Sequence, residues 1–318
     1  MILFAATADG VARLDVDDRT CEVTAALEAA SASCVARAGD DVYAGSRGGG
    51  VFRSADAGST WQPLEFPQPD VFSVAVSPAD GSVYAGCEPS MLFVSRDGGG
   101  SWAELDGLRA IPSAPTWSFP PRPWTSHVRW IAPSPHEAGL LLVGIELGGV
   151  MRSEDGGASW SDHRPGAQRD CHALAWHPAS PGRAYEAGGG GAAWSDDGGS
   201  TWRAADAGRD RHYTWALAVD PEDPDRWWVS ASPGPFQAHG RGSAEALVYR
   251  WEGTGPWQAL AGGLPAPLDA MPYALAVADG SLYAGLADGR LYASSDRGDS
   301  WRRLEVRGDP LPTVLALA

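Results

Sequence analysis

Lysine and asparagine are both missing from this chain of 318 residues, so all 24 of its basic side chains are arginine. The first absence removes Schiff-base chemistry and any cofactor anchored on an ε-amino group. The second removes every acceptor for N-linked glycans. With the excess of alanine, glycine and arginine, both absences read as coding bias. Cysteine is sparse: Cys21, Cys34, Cys87 and Cys171 are scattered with no Cys-x-x-Cys spacing. They are expected as reduced thiols rather than as a disulfide frame, with Cys21 a packing residue. No apolar run is long enough to span a membrane, and Met1 leads into a strand-like segment with no basic leader region. A cytoplasmic location is the expectation. Positive charge is short overall, with a formal net charge of −16. That argues against nucleic acid, whose binding needs a basic footprint, and against an anionic membrane surface.

What the chain does contain is a repeat. The phrase S-x-D-x-G-x-[ST]-W occurs five times, as Ser54-Ala-Asp56-Ala-Gly58-Ser-Thr60-Trp61 and again at 95–102, 153–160, 195–202 and 294–301. Self-similarity at such a period means a repeat architecture in which each repeat is one supersecondary unit. Each phrase stands between two short strand-like runs. Asp and Ser bond nearby backbone groups, Gly supplies a left-handed position, and the Trp opens the next strand with a ring able to bury between sheets.

The phrase resembles the Asp-box, or BNR repeat, of sialidase-like β-propellers, and the resemblance runs the length of the chain. It implies an all-β propeller of four-stranded blades. It also implies that the boxes lock hairpins on the rim away from the ligand face. A box can alternatively be read as a calcium or sugar site; all five are left out of the candidate site here.

A second phrase precedes each box: an apolar strand, a turn, then a strand such as Val83-Tyr84-Ala85-Gly86. Complete units run near 33–64, 71–105, 127–163, 171–205, 213–260 and 271–305. The fifth has a degenerate box ending in Trp257. The N-terminus opens with second- and third-strand patterns within 2–27, and the C-terminus stops after a first-strand pattern at 312–318. The expectation is one seven-bladed propeller domain over 1–318, its last blade shared by the two termini, which leaves no exposed sheet edge.

Function usually lives in loops on a rigid frame, so the informative positions are those where repeats break their own rule. The first-strand position of Phe72 aligns with Ser33, Arg129, His172, Trp215, Tyr273 and Thr313. This polar and aromatic ring is expected near the mouth of the central channel. The end of the second strand gives another ring: Ala8, Arg47, Glu88, Glu146, Gly189, Ser232 and Ala287. Glu186 is the sharpest anomaly, since its equivalents are Ala5, Ala44, Ala85, Val143, Val229 and Ala284. A carboxylate among small apolar residues must be paired, protonated or in a wet cavity. With His172 on the neighbouring strand and Arg129 one blade away, it reads either as a satisfied buried pair or as a general acid/base. Glu146 is the other candidate acid.

Loops add Trp117, Phe119 and Trp124 from the proline-rich 106–126 segment, to wall the pocket or to pack on the next blade. Phe236, His239 and Arg241 come from 232–246, Arg169 and Asp170 from 164–170, and His212 and Tyr213 from the approach to Trp215. The expected ligand set is therefore Arg129, Arg169, Asp170, His212, Tyr213, Trp215, Tyr273, Glu88, Arg47, Trp117, Trp124 and His239. No cofactor is expected. The alternative is a divalent metal held by His127, His172 and His212.

Three related groups bear on function. Sialidases use an arginine triad and a Phe-Arg-Ile-Pro motif that this chain lacks, on six blades. Secreted xyloglucan-cleaving enzymes pair two propellers across a cleft with two acids. Photosystem assembly factors are single seven-bladed propellers, but exported and with a basic patch. The resemblance thus leaves three readings: a pocket for a small polar or sugar-like ligand, a hydrolase or lyase using His172 with Glu186 or Glu146, and a protein-interaction scaffold.

Overall fold

The computed structural model describes residues 1–28, 31–119 and 125–318. Seven antiparallel blades stand in a ring, with almost no helix. Blade one comprises Ala32–Ala38, Asp41–Ser46, Gly50–Ser54 and Gln62–Pro63, innermost strand first. Blade two starts at Val71–Val76, blade three at Val128–Pro133, blade four at Cys171–Trp176, blade five at Tyr213–Val219 and blade six at Pro272–Ala278. In blade three the fourth strand is reduced to a single bridge between Arg152 and Ser161. The seventh blade joins the chain ends: Val314–Leu317 pairs with Ile2–Thr7, followed by Gly10–Val16 and Thr20–Glu28. A strand absent from the sequence-based expectation, Glu305–Gly308, adds in parallel to the outer edge of that blade.

The core is not central. It is divided into seven clusters, one in each seam between adjacent blades. This follows from the alternation of side chains along a strand, which gives each blade two apolar faces. A glycine on the second strand brings neighbouring blades close. A Cβ at Gly45, Gly86, Gly144 or Gly285 would overlap Val71, Val128, Cys171 or Val314 of the next blade. Glycine in a strand interior here marks close backbone approach rather than flexibility.

The five phrases form one and the same turn. In the first, Gly58 N–H donates to Ser54 Oγ (2.8 Å), and Asp56 accepts from Thr60 N–H (2.8 Å) and Thr60 Oγ1 (2.6 Å). Several third-strand arginines reach across a seam to cap the next blade's turn: Arg13 to Ala57 O, Arg53 to Gly98 O, Arg152 to Gly198 O and Arg250 to Arg297 O. All four cysteines are buried and free. Among the described residues no helix is long and apolar enough to cross a membrane.

Candidate functional site at the channel mouth

Every innermost strand carries a bulge, where one residue or two fall out of register with the second strand. A bulge leaves its residue unpaired and re-aims the side chain. The residues so released include Ser33, Phe72, Arg129, His172, Trp215 and Tyr273, the ring that repeat alignment singles out. The closing blade differs from expectation: its bulge residue is Leu315, not Thr313. Val314 packs on Gly285 as Val71 packs on Gly45, which shifts the equivalence by two residues. Thr313 instead donates its hydroxyl to Ala287 O.

This ring separates two spaces. Above it lies a mouth of about 400 Å³, lined also by Arg47, Phe119, His127, Glu146 and His239. Below it the channel continues as a cavity of about 290 Å³, and Ser33, Phe72, Arg129, Trp215 and Tyr273 face both. Two guanidinium groups lie on aromatic faces: Arg47 is 4.5 Å from the Phe72 ring centre, and Arg129 is 4.8 Å from that of Trp215. Such stacking is favourable because the ring face is electron-rich.

A carboxylate–imidazole network occupies one wall. His127 Nε2 lies 2.6 Å from Glu146 Oε2, its Nδ1 is 3.4 Å from Glu88, and its ring stacks on Phe72 at 4.0 Å. Arg129 Nε is 3.7 Å from the same Glu146 oxygen. Burial would raise the Glu146 pKa, but the hydrogen bond from His127 and the charge of Arg129 prevail and hold it at about 2. Glu146 is therefore ionised at neutral pH.

The opposite wall is a relay built on His239. Tyr273 donates its hydroxyl to Ala238 O (3.2 Å), receives His239 Nδ1–H (2.8 Å), and Tyr213 donates to His239 Nε2 (3.0 Å). Burial, helped by the charge of Arg129, depresses the His239 pKa, so the imidazole that this pattern requires is the neutral one. Burial raises the Tyr273 phenol to about 12.

His172 sits deeper, against the rings of Trp215 (4.4 Å) and Tyr213 (5.0 Å). Its Nδ1–H donates to Thr214 O at 2.6 Å, and its Nε2 is 3.5 Å from Asp170 Oδ1. Asp170 occupies the space that a Cβ on Gly189 would fill. Blade four thus replaces a missing side chain of the second ring with a carboxylate from the preceding loop. Sequence reading found Gly189 in the second ring and Asp170 in the loop, but not that the one makes room for the other, for which the glycine run at 188–191 is the signal.

Other expected residues lie elsewhere. Glu186 is opposite Leu174, fully buried, and accepts Gln168 N–H at 2.9 Å. It neither lines the mouth nor touches His172, because His172 turns to blade five while Glu186 faces Cys171 and the 165–170 loop. His212 and Arg169 are exposed. The trio of His127, His172 and His212 does not converge, since the three stand at different distances from the bulge of their strands. Trp117 packs in the seam between blades two and three and donates its indole N–H to Ser113 Oγ. From its loop it is Phe119 that reaches the mouth. Trp124 lies outside the described residues.

The fold is similar to solved structures of several propellers. An ancestral GH74 enzyme matches with TM-score 0.66 and 19% identity, over 86% of this chain and 38% of that one. The GH74 xyloglucanase from Xanthomonas campestris matches with TM-score 0.62 and 20% identity, over 83% and 43%. YCF48 bound to D1 peptide matches with TM-score 0.58 and 18% identity, over 86% and 80%. The chain spans about two fifths of those two GH74 structures. At such identities the likeness is one of fold. No protein-family model and no curated protein matches the sequence.

Proposed function

We propose that this protein is a binding propeller which takes a small polar, sugar-like molecule at the mouth of its central channel. The observation that carries this reading is Arg129. Its guanidinium lies over Trp215 at the junction of mouth and channel, and its buried Nε–H makes no hydrogen bond, because the Glu146 oxygen that it pairs with electrostatically stands 3.7 Å away. A buried donor without a partner is costly, and a ligand oxygen would supply the partner. Trp215 and Tyr273 offer ring faces to the apolar side of a sugar, while Glu146 and Arg47 offer an acceptor and donors to its hydroxyls. A xyloglucanase among the similar structures accords with a carbohydrate-like occupant. The net charge of −16 supports partners other than nucleic acid or anionic membrane. Four buried free thiols support a reducing, cytoplasmic setting.

Hydrolysis in the same pocket has less support. Glu146 is held ionised and cannot donate a proton, and Glu186, which does carry one near neutrality, is sealed from the mouth. An interaction role keeps one point in its favour, since one similar propeller was solved with a peptide bound.

The test is a screen of the purified protein against mono- and oligosaccharides, polar metabolites and short peptides, by saturation-transfer NMR and tryptophan quenching. Saturable sugar binding is expected, weakened at least about tenfold in Arg129→Ala and in Trp215→Ala with melting little changed. Sugar binding untouched by both variants would overturn the placement. Binding confined to peptides would replace this reading by the scaffold one.

A further inference from the structure

One imidazole in the wall of the channel is arranged in a way the ligand reading does not use. The His172 ring nitrogen Nδ1 bonds a backbone carbonyl, Thr214 O, at 2.6 Å. A carbonyl only accepts, so Nδ1 carries the hydrogen and the neutral ring presents a lone pair at Nε2. That Nε2 is buried and has no hydrogen-bond partner, on a side chain with no exposed surface. Metal-bound histidines are held in this way, with the far N–H fixed by a carbonyl and the near nitrogen free.

What faces this nitrogen is anionic. Glu146 and Asp170 each place a donor atom so that these atoms and one from His172 all lie within 4.8 Å of one another. The alternative, a protonated His172 bonding Asp170, fits poorly. Its separation of 3.5 Å exceeds the usual charge-assisted N–H···O distance. Gly189 is part of the arrangement, because any larger residue would displace the Asp170 carboxylate.

We propose that Glu146, Asp170 and His172 form a site for a divalent first-row transition ion of the zinc class, on the blade three–blade four side of the channel mouth. The donor set selects the class. One imidazole nitrogen with two carboxylates suits zinc and its neighbours, whereas calcium needs six to eight oxygens and magnesium keeps most of its water. Oε2 of Glu146 is engaged by His127 and Arg129, leaving Oε1 for the ion. Three protein ligands leave a coordination position open to water or to an incoming group. The nearby positive charge of Arg129 opposes the ion, and two carboxylates outweigh it. The site stands whether or not the mouth takes a sugar.

The experiment uses the full chain, stripped with chelator and titrated with Co²⁺ in the absence of any organic ligand, reading d–d absorption. Zn²⁺ competition and melting are followed in parallel. One saturable equivalent is expected, displaced by Zn²⁺ and not by millimolar Ca²⁺ or Mg²⁺. His172→Gln, Asp170→Asn and Gly189→Ala should each weaken it by about tenfold or more, while His212→Ala leaves it unchanged. Gly189→Ala keeps all three ligands and decides the matter if His172→Gln fails to fold. Absence of a saturable band in the wild type overturns the proposal. So does binding that is unaltered in Asp170→Asn and Gly189→Ala.

Discussion

Two glutamates one blade apart are pushed in opposite directions by their surroundings. Burial raises Glu186 from 4.5 to about 8, with the Gln168 N–H and the Cys171 thiol offsetting only part of the rise. Its pKa in the folded state lies above that of the unfolded chain. As pH climbs through the window from 4.5 to about 8, the unfolded chain releases this proton and the folded one retains it, so stability falls and then levels off. Glu146, held at about 2, contributes stability that is present above 4.5 and lost as pH falls toward 2. Glu186→Gln keeps the shape and removes the titration. It should leave binding at the mouth intact and raise stability at pH 8 by on the order of 2–4 kcal/mol relative to pH 5. Denaturant melts at the two pH values check this; an unaltered pH dependence in the variant would refute the assignment. Glu186 stood out in the sequence because it breaks a repeat, yet what it marks is a buried acid under the 165–170 loop rather than a site.

At the scale of the element, the turn and the bulge divide the labour. The turn after the third strand is self-contained: Asp155 accepts from Ser159 N–H (2.8 Å), Ser159 Oγ (2.5 Å) and Ser153 Oγ (2.9 Å). Asp155→Ala should therefore cost about 1–2 kcal/mol in urea melts and leave ligand and metal binding unchanged. Loss of binding at unchanged stability would contradict a purely structural turn. The bulge, by contrast, is where side chains enter the channel. Both were legible in the sequence for the same reason, that repeats can be compared with one another. The phrase, with the strand pattern that precedes it and the strand patterns at the two ends, counted the blades, and alignment found the ring from Ser33 to Tyr273. It failed at Thr313, where Leu315 holds the position, because the closing strand has no turn phrase beside it to set the register. Reading the loops placed Asp170 beside His172, but alignment could not foresee the pairing of His127 with Glu146, since this joins the approach to one strand with the end of another. For Trp117 the sequence left open a pocket wall or packing on the next blade, and it packs in the seam, because an indole in a seam and one in a mouth look alike in one dimension.

The whole molecule is a ring held at one seam by both chain ends. Phe4 and Ala318 exchange backbone hydrogen bonds at 2.7 and 2.9 Å, and Glu305–Gly308 clamps the outer edge of the same blade. Without residues 312–318 the Ile2–Thr7 strand becomes an open inner edge and the Val314 packing on Gly285 is lost. A chain so shortened should unfold or self-associate, as judged by melting and light scattering. A monomer with wild-type melting would show that the clamp at 305–308 closes the ring alone.

That seam also sets an order in time. Blades one to six are made of hairpins between residues near in sequence, which close quickly. The seventh pairs strands from the two extremes of the chain, and its first three strands wait, with their inner edge open, until the last residues arrive. Loop-closure entropy makes this contact late in folding, and the ring, once shut, opens there first. Amide exchange should be fastest along 314–318 among the innermost strands and along 4–7 among the second strands, so the molecule keeps a clock as well as a shape.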